Sequence, residues 1–233
     1  MPTPWEDSIR NRTPKQLTVF ATANVTGRWR KAFDDALAEF KKLSTKHGLG
    51  VDVVSPQNVA APDPNGEGGA EVQFDVGEGD LQYTAFGTTY EIKNFSGTSL
   101  HGATKILYRQ FGDQPKRIRR AFIFVPKTPM IDASIKVGPD KFKQVAREAG
   151  HGIKMFIALH ELIHACGLDN SDHTRFGPGA DVLIDHPQTF SGPFDKPDDD
   201  KLLLHLAHPK PNVFSPPVFL TKTTADKIIA NWK

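Results

Sequence analysis

The stretch that decides how this chain reads is His160-Glu161-Leu162-Ile163-His164-Ala165-Cys166-Gly167. It continues an apolar run with Met155, Phe156, Ile157 and Leu159, the texture of a buried helix. Residues four apart on a helix stand one above the other on the same face, so His160 and His164 can each offer one ring nitrogen to a single ion. Two imidazoles so placed suit zinc. Buried histidines without a partner are costly, which argues for a metal over a chance pair. Glu161 is turned about 100° from His160, so its carboxylate can reach a water beside the ion without ligating it. Zinc lowers the pKa of such a water to about 7, and a carboxylate can then accept its proton. The motif predicts a Zn2+ site with His160 and His164 as ligands and Glu161 as general base.

Outward from the motif, the pattern predicts a helix over about 139–166, broken near Gly150 and Gly152. Ala121-Phe122-Ile123-Phe124-Val125 is a continuous apolar run and reads as a central strand. Further upstream, Leu17–Ala21 reads as a strand. Residues 28–46 carry Trp29, Phe33, Ala36, Leu37, Phe40 and Leu43 on one helical face, and His47-Gly48-Leu49-Gly50 supplies a glycine stop. Val51–Val54 is a second strand, so the order suggests a βαβ start with parallel strands. Glu71–Val76 alternates as a half-buried strand, and 81–93 and 103–110 hold further β-prone pieces. Residues 1–16 are polar and proline-bearing and read as a flexible N-terminal arm. Beyond Gly167 the chain is rich in Asp, Gly and Pro until Thr223–Trp232, where Ala225, Ile228, Ile229 and Trp232 recur at helical spacing. The expected organisation is an arm over 1–16 and one domain over 17–233, with an upper part 17–168 and a lower part 169–233.

At His160-Glu161-x-x-His164-x-x-Gly167 the sequence resembles the metzincin family of zinc peptidases, whose signature is HExxHxxGxxH. His164-Ala165-Cys166-Gly167-Leu168-Asp169 looks like the matrixin version. The resemblance implies an α/β (α+β) zincin fold: a twisted mixed sheet of four or five strands, two long helices and a loop-rich C-terminal part. It implies hydrolysis of a peptide bond, with a peptide or protein substrate laid along the sheet edge above the cleft. Gly167 would then let the chain turn back toward the metal by taking a positive φ. The match departs at the third ligand, where the family position holds Asn170, a poor zinc donor. His173, three residues on, is the expected third ligand, because three protein ligands plus water is the usual catalytic set. Asp169, Asp172 and His186 are its reserves, and the alternative for His173 is a solvated loop histidine. The methionine turn beneath the metal is also missing, since Met1, Met130 and Met155 all precede the motif. Phe214-Ser215-Pro216-Pro217 is the segment expected in its place.

The remaining features are blander. Cys166 lies about 200° from His164 around the helix and reads as a small core residue. Lys116-Arg117-Ile118-Arg119-Arg120 reads as a solvated edge, not a nucleic-acid patch. Ser99-Leu100-His101-Gly102 is either a strand bordering the cleft or a plain turn. His205 and His208, beside prolines, read as surface residues. The 233 residues carry 29 Lys and Arg against 27 Asp and Glu, a net charge of +2 that draws the chain to neither nucleic acid nor membrane. No run approaches the ~20 apolar residues of a spanning helix, and Met1–Asp7 has no signal core. With one cysteine, this suggests a cytoplasmic protein, or one exported without a recognisable signal peptide. The same residues would serve a zinc hydrolase of a non-peptide amide. A non-catalytic metal-containing binding module would need the histidines but not Glu161.

Overall fold

The computed structural model describes residues 3–110, 112–139, 141–169, 220 and 222–233. Among them the architecture is mixed α/β: four helices and a five-stranded mixed sheet, with two further hairpins. The chain runs α1 (Asp7–Arg10), β1 (Gln16–Ala21), α2 (Gly27–His47), β2 (Asp52–Val54), β3 (Val72–Gly77), β4 (Gly79–Ala85), β5 (Thr88–Phe95) and β6 (Ala103–Arg109). It continues through β7 (Arg117–Pro126), β8 (Met130–Gly138), β9 (Lys141–Glu148), α3 (His151–Ala165) and α4 (Lys222–Trp232).

The sheet order is β2-β1-β3-β7-β6. The first four strands pair in parallel, with Leu17 opposite Val53, Val19 opposite Val72 and Phe74 opposite Ile123. β6 closes the edge antiparallel, with Ile106 opposite Ala121. The expected βαβ start is present: α2 carries β1 over to β2, and Gly48 ends the helix at φ +62°. That left-handed turn is where a glycine costs least.

Both faces of β7 are covered, which is why its apolar run is continuous. Ala121, Ile123 and Val125 face the cluster formed with α2 and α3. Phe122 and Phe124 face the β4–β5 hairpin, where the Tyr83 ring sits 4.5 Å and 5.7 Å from theirs. On the helix side, Phe33 of α2 meets Phe74 of β3 at 4.7 Å.

Two expectations are corrected. The helix expected over 139–166 begins only at His151, and the residues before it form the β8–β9 hairpin, with Asp132 opposite Ala146 and Ser134 opposite Gln144. Lys141-Phe142-Lys143-Gln144-Val145 alternates as well as it follows a helical period, and its partner strand lies outside any local window. Gly150 does not break the helix; it stands at its N-cap in an extended conformation. The N-terminal segment is no loose arm either. Trp5 is fully buried and bridges to Ile118, the Glu6 amide donates to the Ile118 carbonyl at 3.0 Å, and Ile9 joins the core. One buried indole outweighs the polar and proline-rich residues around it.

The C-terminal helix expected over Thr223–Trp232 is present, with Ala225, Ile228 and Trp232 buried. No described helix is long and apolar enough to cross a membrane.

Candidate active site

α3 is apolar nearly all round, so it is buried on nearly every side; only His151 and His160 along it are partly exposed. His160 opens into a small cleft between α3 and the start of β6, lined by Leu100, His101, Gly102, Phe156, Ile157, His160 and Glu161. Leu100–Gly102 thus borders the cleft, outside any strand and leading directly into the edge strand.

One turn along, His164 is buried, and its ring stands 4.7 Å from that of His160. The two Nε2 atoms face each other at 3.0 Å. His164 Nδ1 lies 3.0 Å from the Leu168 carbonyl oxygen, which can only accept, so Nδ1 carries the proton and Nε2 presents its lone pair. A carbonyl partner of this kind is the usual orienter of a metal-bound imidazole. Zinc–nitrogen bonds of about 2.0–2.1 Å place two ligands of a tetrahedral ion about 3.3 Å apart. The facing pair is within a few tenths of an ångström of that, so the two imidazoles fit the ion. Among the described residues, no group of three His, Cys, Asp or Glu side chains is gathered for a metal.

The expected third ligand His173 lies outside the described residues, as do Asn170, Asp172, His186, His205, His208 and the Phe214–Pro217 segment. Asp169, the reserve that is described, is exposed and stands toward Tyr108, whose phenol is pushed up by burial and, to a lesser degree, by the Asp169 charge.

Glu161 is buried at 4% exposure beneath the edge strand. Its Oε2 accepts a 2.6 Å hydrogen bond from the Thr104 hydroxyl, which also lies 3.2 Å from the Glu161 carbonyl oxygen. Gly102 leaves room for the carboxylate: a Cβ there would come within 2.7 Å of Glu161 Cγ and 2.8 Å of Oε1. Burial pushes the carboxyl up to about 7, against the opposing pull of the Thr104 hydrogen bond.

Gly167 takes φ +103° and turns the chain out of α3, the conformation expected of it. Cys166 is fully buried with its Sγ 3.5 Å from the Leu162 carbonyl oxygen, and burial pushes its thiol up. In the basic run, Arg119 pairs with Glu6 at 3.2 Å and with Glu67, while the buried Arg120 donates to the carbonyls of Gly66, Gly68 and Ala70. Those two charges are engaged within the fold.

Thr104 escaped the sequence reading, as did the parts that Gly102 and Leu168 play at the site. A glycine two residues before a threonine at a strand start was the only local signal for the first two, and a backbone carbonyl leaves none. No family model, curated protein or solved structure matches the chain.

Proposed function

We propose that this chain is a zinc-dependent peptidase of metzincin type. The ion is held by His160, His164 and His173, and Glu161 is the general base. The observation that carries this is the facing pair of Nε2 atoms at 3.0 Å, with a buried carboxyl on the same cleft. Zinc bound there supplies a Lewis acid that polarises a carbonyl and acidifies a water. The chain's own residues do the rest. Leu168 fixes the tautomer of His164, so that Nε2 presents the lone pair. Thr104 holds Oε2 of Glu161, which leaves Oε1, on the Gly102 side, to take a proton and return it to a leaving amine. The antiparallel edge strand β6 beside the cleft suits an extended peptide added as a further strand.

Metal analysis together with a peptidase assay on wild type and Glu161→Gln tests the proposal. About one zinc per chain in both proteins, with activity only in wild type, is the expected result. A chain that neither carries nor takes up zinc overturns it.

A further inference from the structure

We propose that Trp5 and the last turn of α4 form a positioning clamp on the C-terminal end of α3, and that this clamp sets the metal affinity of the His160–His164 site. The proposal rests on the reading of that site as a metal centre. The last carbonyls of a helix have no partner within it. Where α3 ends, three successive carbonyls, of its last residue Ala165, of the C-cap Cys166 and of Gly167 just beyond, each accept from a side chain remote in sequence. Trp5 Nε1 donates to Ala165 at 2.7 Å, Trp232 Nε1 to Cys166 at 3.2 Å and Asn231 Nδ2 to Gly167 at 3.1 Å. The Thr3 amide adds a second donor to Gly167 at 3.2 Å. Both indoles and the amide side chain are buried. Gly167 is hemmed in from both sides, since a Cβ there would collide with the Thr3 carbonyl oxygen and come within 2.7 Å of Asn231 Nδ2. The two clamping segments are also tied to each other, by Arg10 Nη1 to the Asn231 carbonyl at 3.3 Å and Lys15 Nζ to that of Trp232 at 2.6 Å.

The clamp reaches the metal site through one residue. Leu168, whose carbonyl orients the His164 ring, directly follows the three clamped carbonyls. Where its oxygen stands relative to Nδ1 is decided by the path of residues 165–167. Phenylalanine at position 5 or 232 keeps the apolar bulk but deletes the donor, leaving a buried carbonyl unpaired. Trp29 is the matched control: it too is buried and donates to a backbone carbonyl, that of Lys127 at 3.1 Å, away from the end of α3.

The test uses the full chain, stripped with chelator and titrated with Co2+, whose visible absorption reports ligand geometry. Trp5→Phe, Trp232→Phe and Trp29→Phe are compared at a temperature where each is folded by circular dichroism. Trp5→Phe and Trp232→Phe are expected to weaken Co2+ binding by about tenfold or more, to change the visible bands, and to speed amide exchange at Cys166–Leu168. Trp29→Phe should lose thermal stability yet match wild type in all three. Should Trp232→Phe not fold, Asn231→Ala replaces it with the same expected outcome. Wild-type Co2+ affinity in both clamp variants, or an equal loss in Trp29→Phe, overturns the proposal. A wild-type chain that takes up no Co2+ overturns the underlying metal reading. Unchanged exchange at 166–168 overturns the clamp itself, so the two failures are told apart.

Discussion

The first and last turns of α3 each bury a charged residue, and they treat it in opposite ways. Lys154, 1% exposed, is given a counter-charge: its ammonium pairs with Glu148 at the end of β9 and lies 5.7 Å from the Trp29 ring. Arg28 approaches the other Glu148 oxygen at 3.7 Å. Glu161, two turns on, is given one neutral hydroxyl. The carboxyl that meets a cation is held below its usual range, chiefly by its hydrogen bond from Lys154, while burial pushes the other, which among the described residues is hydrogen-bonded by Thr104, up to about 7. A buried charge with a partner fastens the hairpin to the helix. A buried acid without one has its charged form disfavoured by burial, at a cost in stability. The contrast separates two ways of satisfying a buried charge on one helix, and four experiments bear on it.

The largest effect is expected from Glu161→Gln, which keeps the shape and cannot accept a proton. Peptidase turnover should fall by about 10²–10⁴-fold with zinc retained. Unchanged turnover would remove Glu161 from the mechanism.

His173→Ala should come next. Loss of a ligand should lower zinc affinity by more than about tenfold, whereas Asn170→Ala should do much less, because an amide donates weakly to zinc. Competition titration of both variants decides it, and the reverse ranking would place the third ligand at the shorter family spacing.

Glu148→Gln should then destabilise by about 1–3 kcal/mol, since it strands the buried Lys154 ammonium; Glu148 is itself 38% exposed, which keeps the loss below that of a fully buried pair. Chemical denaturation measures it, and catalytic constants should hold.

The last effect is spread over pH, as a slope in the stability of the metal-free protein. The folded-state pKa of Glu161 is raised, so its stability contribution is greatest in acid and is lost as pH climbs from the carboxylate range to about 7. Glu161→Gln should therefore gain on wild type over that window, by on the order of 3 kcal/mol at most, and hold level beyond it. Glu148 runs the other way: its pKa is depressed, so its contribution is present at neutral pH and lost on acidification. Thermal melts from pH 3 to 8 should show Glu161→Gln gaining on wild type as pH climbs from the carboxylate range to about 7, and Glu148→Gln falling behind wild type as pH climbs through the carboxylate range itself, then holding level. Parallel slopes would erase the contrast between the two turns.

The sequence alone determined whatever rests on local periodicity. The facing histidines follow from a spacing of four on an apolar helix. The βαβ start, the Gly48 stop, the positive φ of Gly167 and the helix ending at Trp232 follow from pattern and from which residues tolerate which backbone. It misjudged the residues whose fate depends on a distant partner. Lys141–Glu148 fits a helix or a strand until β8 lies beside it, and Trp5 looks like part of a loose polar segment until Ala165 offers it a carbonyl. The seat of Glu161 was illegible for the same reason. Gly102 and Thr104 lie some 60 residues from it in sequence, and only the packing of the edge strand on α3 brings the hydroxyl to the carboxylate. Periodicity shows which face of an element is apolar; what that face meets, and so how a buried charge is satisfied, is decided by tertiary packing.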